Sequence, residues 1–388
     1  MAPVRAPVNP LVLRWARTQA GYGIDQVAAR LKKAPGVIES WEDGSQQPTV
    51  NQLRDLSVLY RRTPAFFFLS EPPEDRGTER PPDFRSRKDA QVSPAILREI
   101  SKAEERRRHY IELSRYPEVS PDYEPPNPLP DIGPDLRRHT DKVARRARAL
   151  VDVSIDEQFR FESDGQGLRT WIVALERIGV LVFQMSRVPL EEGRGLSLYR
   201  EQHPMILLNG ADDQGARIFT LFHEFAHLLS HSSGLCDVFN DSEVEQYCNR
   251  FAASFLLPEV EFLNALGRRP SIEAIPDLAS RFLVSQSAVA IRMRNFGLIS
   301  QADVDGHLAE ARRIWLEAKE RQRARKKKGG PPHHKTHLRN LGENYVSTVL
   351  RAMDAEAISP VDAAYFLEAK LSTVEQMRSD LLAGEIAS

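Results

Sequence analysis

Between Phe219 and Ser230 the chain reads FTLFHEFAHLLS, and this segment restricts the fold more than any other. As a helix it is apolar nearly all round, through Leu221, Phe222, Phe225, Ala226, Leu228 and Leu229, so it belongs inside the molecule. It nevertheless carries His223, Glu224 and His227. Ionisable groups placed in a core need partners or a metal ion. Histidines four apart lie on one helix face about a turn from each other, so both can aim a ring nitrogen at one ion. Glu224 is rotated about 100° from His223, which puts its carboxylate beside that ion, as a base, rather than on it. The spacing predicts two ligands and one proton acceptor on a single buried helix, from about 216 to 231.

A catalytic zinc ion, Zn2+, takes three protein ligands and keeps one position for water. The next predicted helix, 242 to 257, contains EVEQYCNRFAASFLLP and ends at Pro258. Glu245, Cys248, Ala252 and Phe255 are spaced by three and four, so Glu245 faces the core side and is the candidate third ligand. Glu243 points elsewhere. Cys248, one turn from Glu245, could ligate zinc but reads first as a small buried residue.

The rest of the chain frames this centre. With 388 residues, two or three domains are expected. Apolar residues make up 41% and charged residues 28%, a globular profile without an apolar run long enough for a bilayer. The first residues, broken by Pro7, Pro10, Arg14 and Arg17, lack the continuous apolar stretch of a secretory signal. Two cysteines, Cys236 and Cys248, fit a reducing compartment. A cytoplasmic location with no membrane partner is therefore expected. The net charge of −1 confines any nucleic-acid contact to local patches.

The predicted fold class is mainly α with a small β-sheet in a central α+β domain, flanked by an all-α N-terminal domain and a C-terminal helical module. Residues 1–70 form the first domain, with an apolar stripe through Leu11, Val12, Trp15 and Ala16. Residues 71–135 are a linker rich in proline and charge with one helix. The metal domain covers 136–305, with strands at Val180–Met185, Gly195–Arg200 and Pro204–Asn209. A basic linker spans 306–335, including the run Lys319–Lys328, and the last module spans 336–388.

RIFTLFHEFAHLL followed by EVEQYCNRFAASFLLP resembles the ImmA/IrrE family of metallo-endopeptidases. RGLSLYR and PMILLN resemble the strand pair that precedes the family's catalytic helix, and PPDFRSR at 81–87 resembles its linker. The resemblance spans roughly residues 150–300. It implies a zincin-like domain in which His223, His227 and Glu245 hold zinc. Where the family usually has alanine in its second motif, this chain has Cys248. The implied activity is cleavage of a repressor or similar regulatory protein. Glu224 would then take a proton from the attacking water and pass it to the leaving amine. The strand Met205–Asn209 is expected to offer an edge for an extended substrate. Tyr199, His203, His231 and Tyr247 are the candidates for stabilising the oxyanion.

Upstream, VAARLKKAPGVIESWEDGSQQPTVNQLRDLSVLY resembles the helix-turn-helix domain of phage repressors and xenobiotic-response-element regulators, through Gln26, Ala28, Ile38, Trp41, Glu42, Gly44 and Pro48. Its third helix would enter the major groove. That helix starts Ala34-Pro35-Gly36 and lacks Arg, Gln or Asn to read base edges. Lys32 and Lys33, with Val37 and Ser40 on the helix, are the candidate DNA contacts of residues 8–63. Two rival readings stay open, a regulator that uses the zinc domain as a sensor or partner dock without proteolysis, and a pure interaction protein. The sequence also leaves pairing of two copies open.

Overall fold

The computed structural model describes residues 4–73, 92–119, 129–131, 139–236, 243–267, 271–324 and 332–383. The motif at 81–87 and the end of the basic run lie outside these residues. The chain divides into two compact units, Met1–Lys102 and Ala103–Ser388.

In the first unit α1 (Pro10–Gln19), α2 (Ile24–Leu31), α3 (Pro35–Glu42) and α4 (Val50–Tyr60) are followed by a 3-10 turn at Pro64–Phe68. Local chemistry sets these boundaries. The Asn9 side chain caps α1 by accepting from Leu11 N. Thr49 and Gln52 exchange side-chain and backbone hydrogen bonds at the start of α4, a capping box. Gly44 sits just beyond α3 with φ of 82°, a left-handed position that favours glycine. The core joins Leu13, Ala16, Val27, Ala28, Ile38, Trp41, Leu53, Leu56 and Phe67. The stripe of α1 is therefore rotated from the expected one, because Leu13 is buried while Leu11 is 60% exposed. Glu42 is buried and receives Arg17 Nε at 2.7 Å and Nη2 at 2.9 Å. This two-pronged contact ties α3 to α1.

The division between units falls within α5 (Pro94–Leu113). In the second unit come α6 (Thr140–Val151), the short α7 (Ile155–Gln158), α8 (Asp164–Arg177), β1 (Leu181–Met185), β2 (Gly195–Leu198), β3 (Met205–Asn209), α9 (Gln214–Leu229), β4 (Gly234–Cys236) and α10 (Glu243–Leu256). There follow α11 (Glu259–Leu266), α12 (Ile275–Phe282), α13 (Gln286–Asn295), α14 (Gln301–Ala324), α15 (His333–Leu341), α16 (Glu343–Asp354), α17 (Pro360–Phe366) and α18 (Leu371–Ala383). Among the described residues the fold is mainly α with one small sheet.

The sheet order is β1-β3-β2-β4. β1 runs parallel to β3, with Val182 opposite Ile206, and β2 is antiparallel to both β3 and β4. All residues of β1, β2 and β3 are buried, so both faces of these strands are covered. Val182, Ile206 and Leu208 join α8, α9 and α10 in the main core. On the other face Phe183 meets the Tyr345 ring edge-on at 6.1 Å.

Two expectations change here. Met205–Asn209 is not an edge, because β3 is paired on both sides. Residues 306–324 belong to α14 rather than to a linker. Moreover, the C-terminal helices pack with the central domain as one unit, since α15 lies against the outer strand β1 and buries Leu338 and Leu341.

Polar side chains hold the end of α10. Arg148 donates to Phe255 O, Gln158 to Leu256 O and Arg292 to Leu257 O, at 2.9, 3.0 and 2.9 Å. The last carbonyls of a helix have no partner within it, and here buried side chains satisfy them before Pro258 turns the chain away.

Candidate metal centre

The centre is built where α9 and α10 pack against each other. Asp213 caps α9, accepting from Gly215 N at 3.0 Å. The helix is then fixed from its apolar side, where Phe222 stacks on Phe255 at 4.0 Å and meets the edge of Trp171 at 5.0 Å. This clamp fixes the rotation of α9, and the rotation decides where its polar residues face. His223, Glu224 and His227 are all buried, with Glu224 at 0% exposure.

On α10, Glu245 closes the set. Its Oε2 lies 2.9 Å from His223 Nε2 and its Oε1 3.5 Å from His227 Nε2. The two imidazole rings are 5.2 Å apart. His223 Nδ1 is bonded to Asn249 Oδ1 at 2.9 Å, so the ring donates there and turns Nε2 toward Glu245. Asn249 is the orienting partner that a metal-bound histidine ordinarily has. Its position four residues after Glu245 puts it on the same helix face, but the spacing alone does not mark it as a partner of His223.

Cys248 also enters the cluster. Ligand atoms of His223, His227 and Cys248 lie within 4.8 Å of one another, and Cys248 is a free, buried thiol. Among the described residues the fold thus gathers two imidazole nitrogens, a carboxylate and a sulfur. Soft and borderline donors of this kind suit a divalent transition metal rather than calcium or magnesium. The Glu224 oxygens and His227 Nε2 are buried without a hydrogen bond of good geometry within the protein. Buried polar atoms in that condition fit a group bound from outside the chain.

Electrostatics separate the two carboxylates. Burial pushes Glu224 above the usual carboxylate range, opposed by His223, His227 and Ser197. Burial acts on Glu245 in the same direction, but hydrogen bonds from both histidines hold it at about 2. One acid is thus poised to carry a proton and the other to stay charged. Opposite Glu224 stands Gly195 of β2. A Cβ at Gly195 would meet Thr220 Cγ2 at 2.5 Å and a Glu224 oxygen at 3.2 Å, so this glycine keeps the ground beside the base open. No motif in the sequence pointed to it.

Tyr199, two residues beyond Ser197, stacks on His231 at 4.5 Å, and His231 Nε2 is bonded to Leu129 O. His203 instead bonds Gly179 O and packs on Tyr110, while Tyr247 donates to Glu243 at 2.5 Å. In the first unit Lys32 and Lys33 are exposed. Val37 is packed against the core, and the Ser40 hydroxyl is turned back onto Val37 O.

No helix among the described residues is long and apolar enough to cross a membrane. No curated protein matches the chain. Residues 175–294 match the family model Peptidase_M78, the IrrE N-terminal-like domain, a span that holds every residue of the cluster, and by this match the central part of the chain is similar to the metallopeptidases of the ImmA/IrrE family.

Proposed function

We propose that the chain is a zinc-dependent regulatory endopeptidase of the cytoplasm that cleaves a repressor or another regulatory protein. The observation that carries this reading is the convergence of His223, His227 and Glu245 with a buried, unligated carboxylate, Glu224, beside them. His223, His227 and Glu245 would hold the ion, which when bound supplies Lewis acidity and lowers the pKa of water. Glu224 accepts a proton from the attacking water and returns it to the departing amine; its raised proton affinity suits both transfers near neutral pH. Asn249 keeps His223 in the ligating tautomer. Tyr199, supported by its stack on His231, is the group assigned to the oxyanion. An extended substrate would pair with β4, the strand at the outer end of the sheet on the β2 side, rather than with β3.

The test compares cellular proteins exposed to the parent chain and to Glu224→Gln. The variant should keep its zinc and lose cleavage, because only the proton acceptor is gone. Equal cleavage of a confirmed substrate by both would reject the mechanism.

A second reading, a DNA-bound regulator, is favoured by the helical N-terminal unit with Lys32 and Lys33 exposed at the turn between α2 and α3. Duplex binding measured against salt decides it, since phosphate contacts weaken steeply as salt rises. No affinity at low ionic strength would remove the DNA role.

A further inference from the structure

Away from the metal centre, a small pocket of about 50 Å³ that opens to solvent lies where α8, β1 and the start of α9 meet α15. One wall is apolar, formed by Leu168, Ile172 and Val182, and the polar side holds Gln184, Gln214, Arg217 and Arg339 together with the Arg169–Glu343 ion pair.

Each of the two arginines leaves one guanidinium nitrogen, its Nε, buried and unsatisfied. Arg217 is 3% exposed and gives Nη1 to the neutral amide oxygen of Gln184 at 2.7 Å. Its Nε, and that of Arg339, are buried without a hydrogen-bond partner. The nearby carboxylates are committed elsewhere. Asp212 accepts from Arg194 at 3.2 Å, Asp213 caps α9, and Glu343 is paired with Arg169 at 2.6 Å. Burial and then the neighbouring Arg339 charge push Arg217 down to about 10. Two like charges are therefore held close together in a pocket, a cost that an anion between them would remove.

We propose that this pocket binds a small organic oxyanion, a carboxylate or phosphate monoester with a compact apolar body. The free Nε edges of Arg217 and Arg339 would grip the head in the forked geometry that guanidinium favours. The wall of Leu168, Ile172 and Val182 would take the body. Because Arg339 comes from α15 and Arg217 from the helix that carries His223, the site exists only with the C-terminal helices docked.

Benzoate and phenyl phosphate serve as probes of the full chain, with inorganic phosphate and neutral benzamide as controls, read by thermal melting and titration calorimetry. At about 10 mM even a millimolar Kd gives a measurable rise in melting temperature. The expected result is a rise with benzoate or phenyl phosphate and none with benzamide. Affinity should fall at least about tenfold in both Arg339→Gln and Arg217→Lys, which removes the fork and keeps the charge; Arg339→Gln still reports if Arg217→Lys does not fold. Binding unchanged in Arg339→Gln would overturn the location. Inorganic phosphate binding as tightly as phenyl phosphate would overturn the organic body, and absence of any shift would overturn the site. None of these readouts depends on proteolysis.

Discussion

At the residue scale the question is how Glu245 and Cys248, one turn apart on α10, divide the metal between them. Glu245 reaches both histidines, at 2.9 and 3.5 Å, while the thiol shares their neighbourhood within 4.8 Å. Three protein ligands with a place for water are what catalysis needs, and a fourth protein ligand would make the site structural. Glu245→Ala should therefore lose zinc, whereas Cys248→Ala should keep near-stoichiometric zinc by elemental analysis. Zinc lost from Cys248→Ala would make the sulfur a ligand and argue against hydrolysis. The same cluster sets a pH dependence. Burial would lower His227, but Cys248, Glu245 and Glu224 raise it to about 10, and Glu245 is held at about 2. In protein stripped of metal, the raised histidine stabilises fully below its unfolded value, about 6.5, and loses that stability as pH climbs toward 10. The depressed glutamate stabilises fully above about 4.3 and loses it as pH falls toward 2. The metal-free pair thus stabilises most between about pH 4.3 and 6.5. Zinc needs His227 deprotonated, so the rise in melting temperature on adding zinc should grow from pH 5.5 to 8.5. A zinc effect independent of pH would contradict this.

At the scale of elements, two helices and a strand make the centre, and they were unequally visible beforehand. The rotation of α9 was legible because Leu221, Phe222, Phe225 and Leu229 are apolar on every side of three ionisable residues, a pattern with few physical solutions. Glu245 was legible through its spacing from Ala252 and Phe255. Asn249 and Gly195 were not given roles, because theirs depend on neighbours supplied by other elements. The central place of β3 is hidden in the sequence for a related reason. Met205–Asn209 is buried on every residue, and an apolar run alone does not tell a central strand from an edge. The stripe of α1 shifted because the pattern around Leu11 to Ala16 fits two helix faces, and packing of Leu13 and Ala16 into the core of the first unit selects the one that buries Leu13. Gly195 gives this scale its own test. Gly195→Ala puts a methyl 2.5 Å from Thr220 Cγ2, where a β-branched side chain on a packed helix cannot swing away. Overpacking of this kind costs about 1–3 kcal/mol, and the strain lies between β2 and the turn of α9 that leads to Glu224. We expect lower stability in denaturant titration together with a loss of cleavage larger than that stability loss explains. Unchanged stability and activity would show that the strand yields.

For the whole molecule, the consequential finding is that the helices after residue 332 belong to the central unit. Composition suggested otherwise, because Gly329, Gly330, Pro331 and Pro332 read as a break and the helices beyond carry their own apolar faces. Contact with β1 is a pairing of distant segments that local sequence does not announce. Gly342 shows how close it is, since a Cβ there would stand 2.7 Å from Val182 O. Its φ of 80° is also one that other residues avoid. Phe183 rests on Tyr345, and Tyr345 OH donates to Phe366 O at 3.0 Å, linking β1 through α16 to α17. A chain ending at residue 324 would uncover β1 and the face of the sheet that Phe183 occupies, leaving an exposed strand ready to pair with other copies. Loss of burial for one side chain of that size costs about 1.5–3 kcal/mol. At about 2–4 °C per kcal/mol for a domain of this size, the melting temperature should fall by roughly 5 °C or more, with higher-order species on size exclusion. The zinc ligands would all remain in the shortened chain, so its zinc content just after purification should match the parent's. A truncated protein that stays monomeric and melts with the parent would show instead that the C-terminal helices merely rest on the central domain.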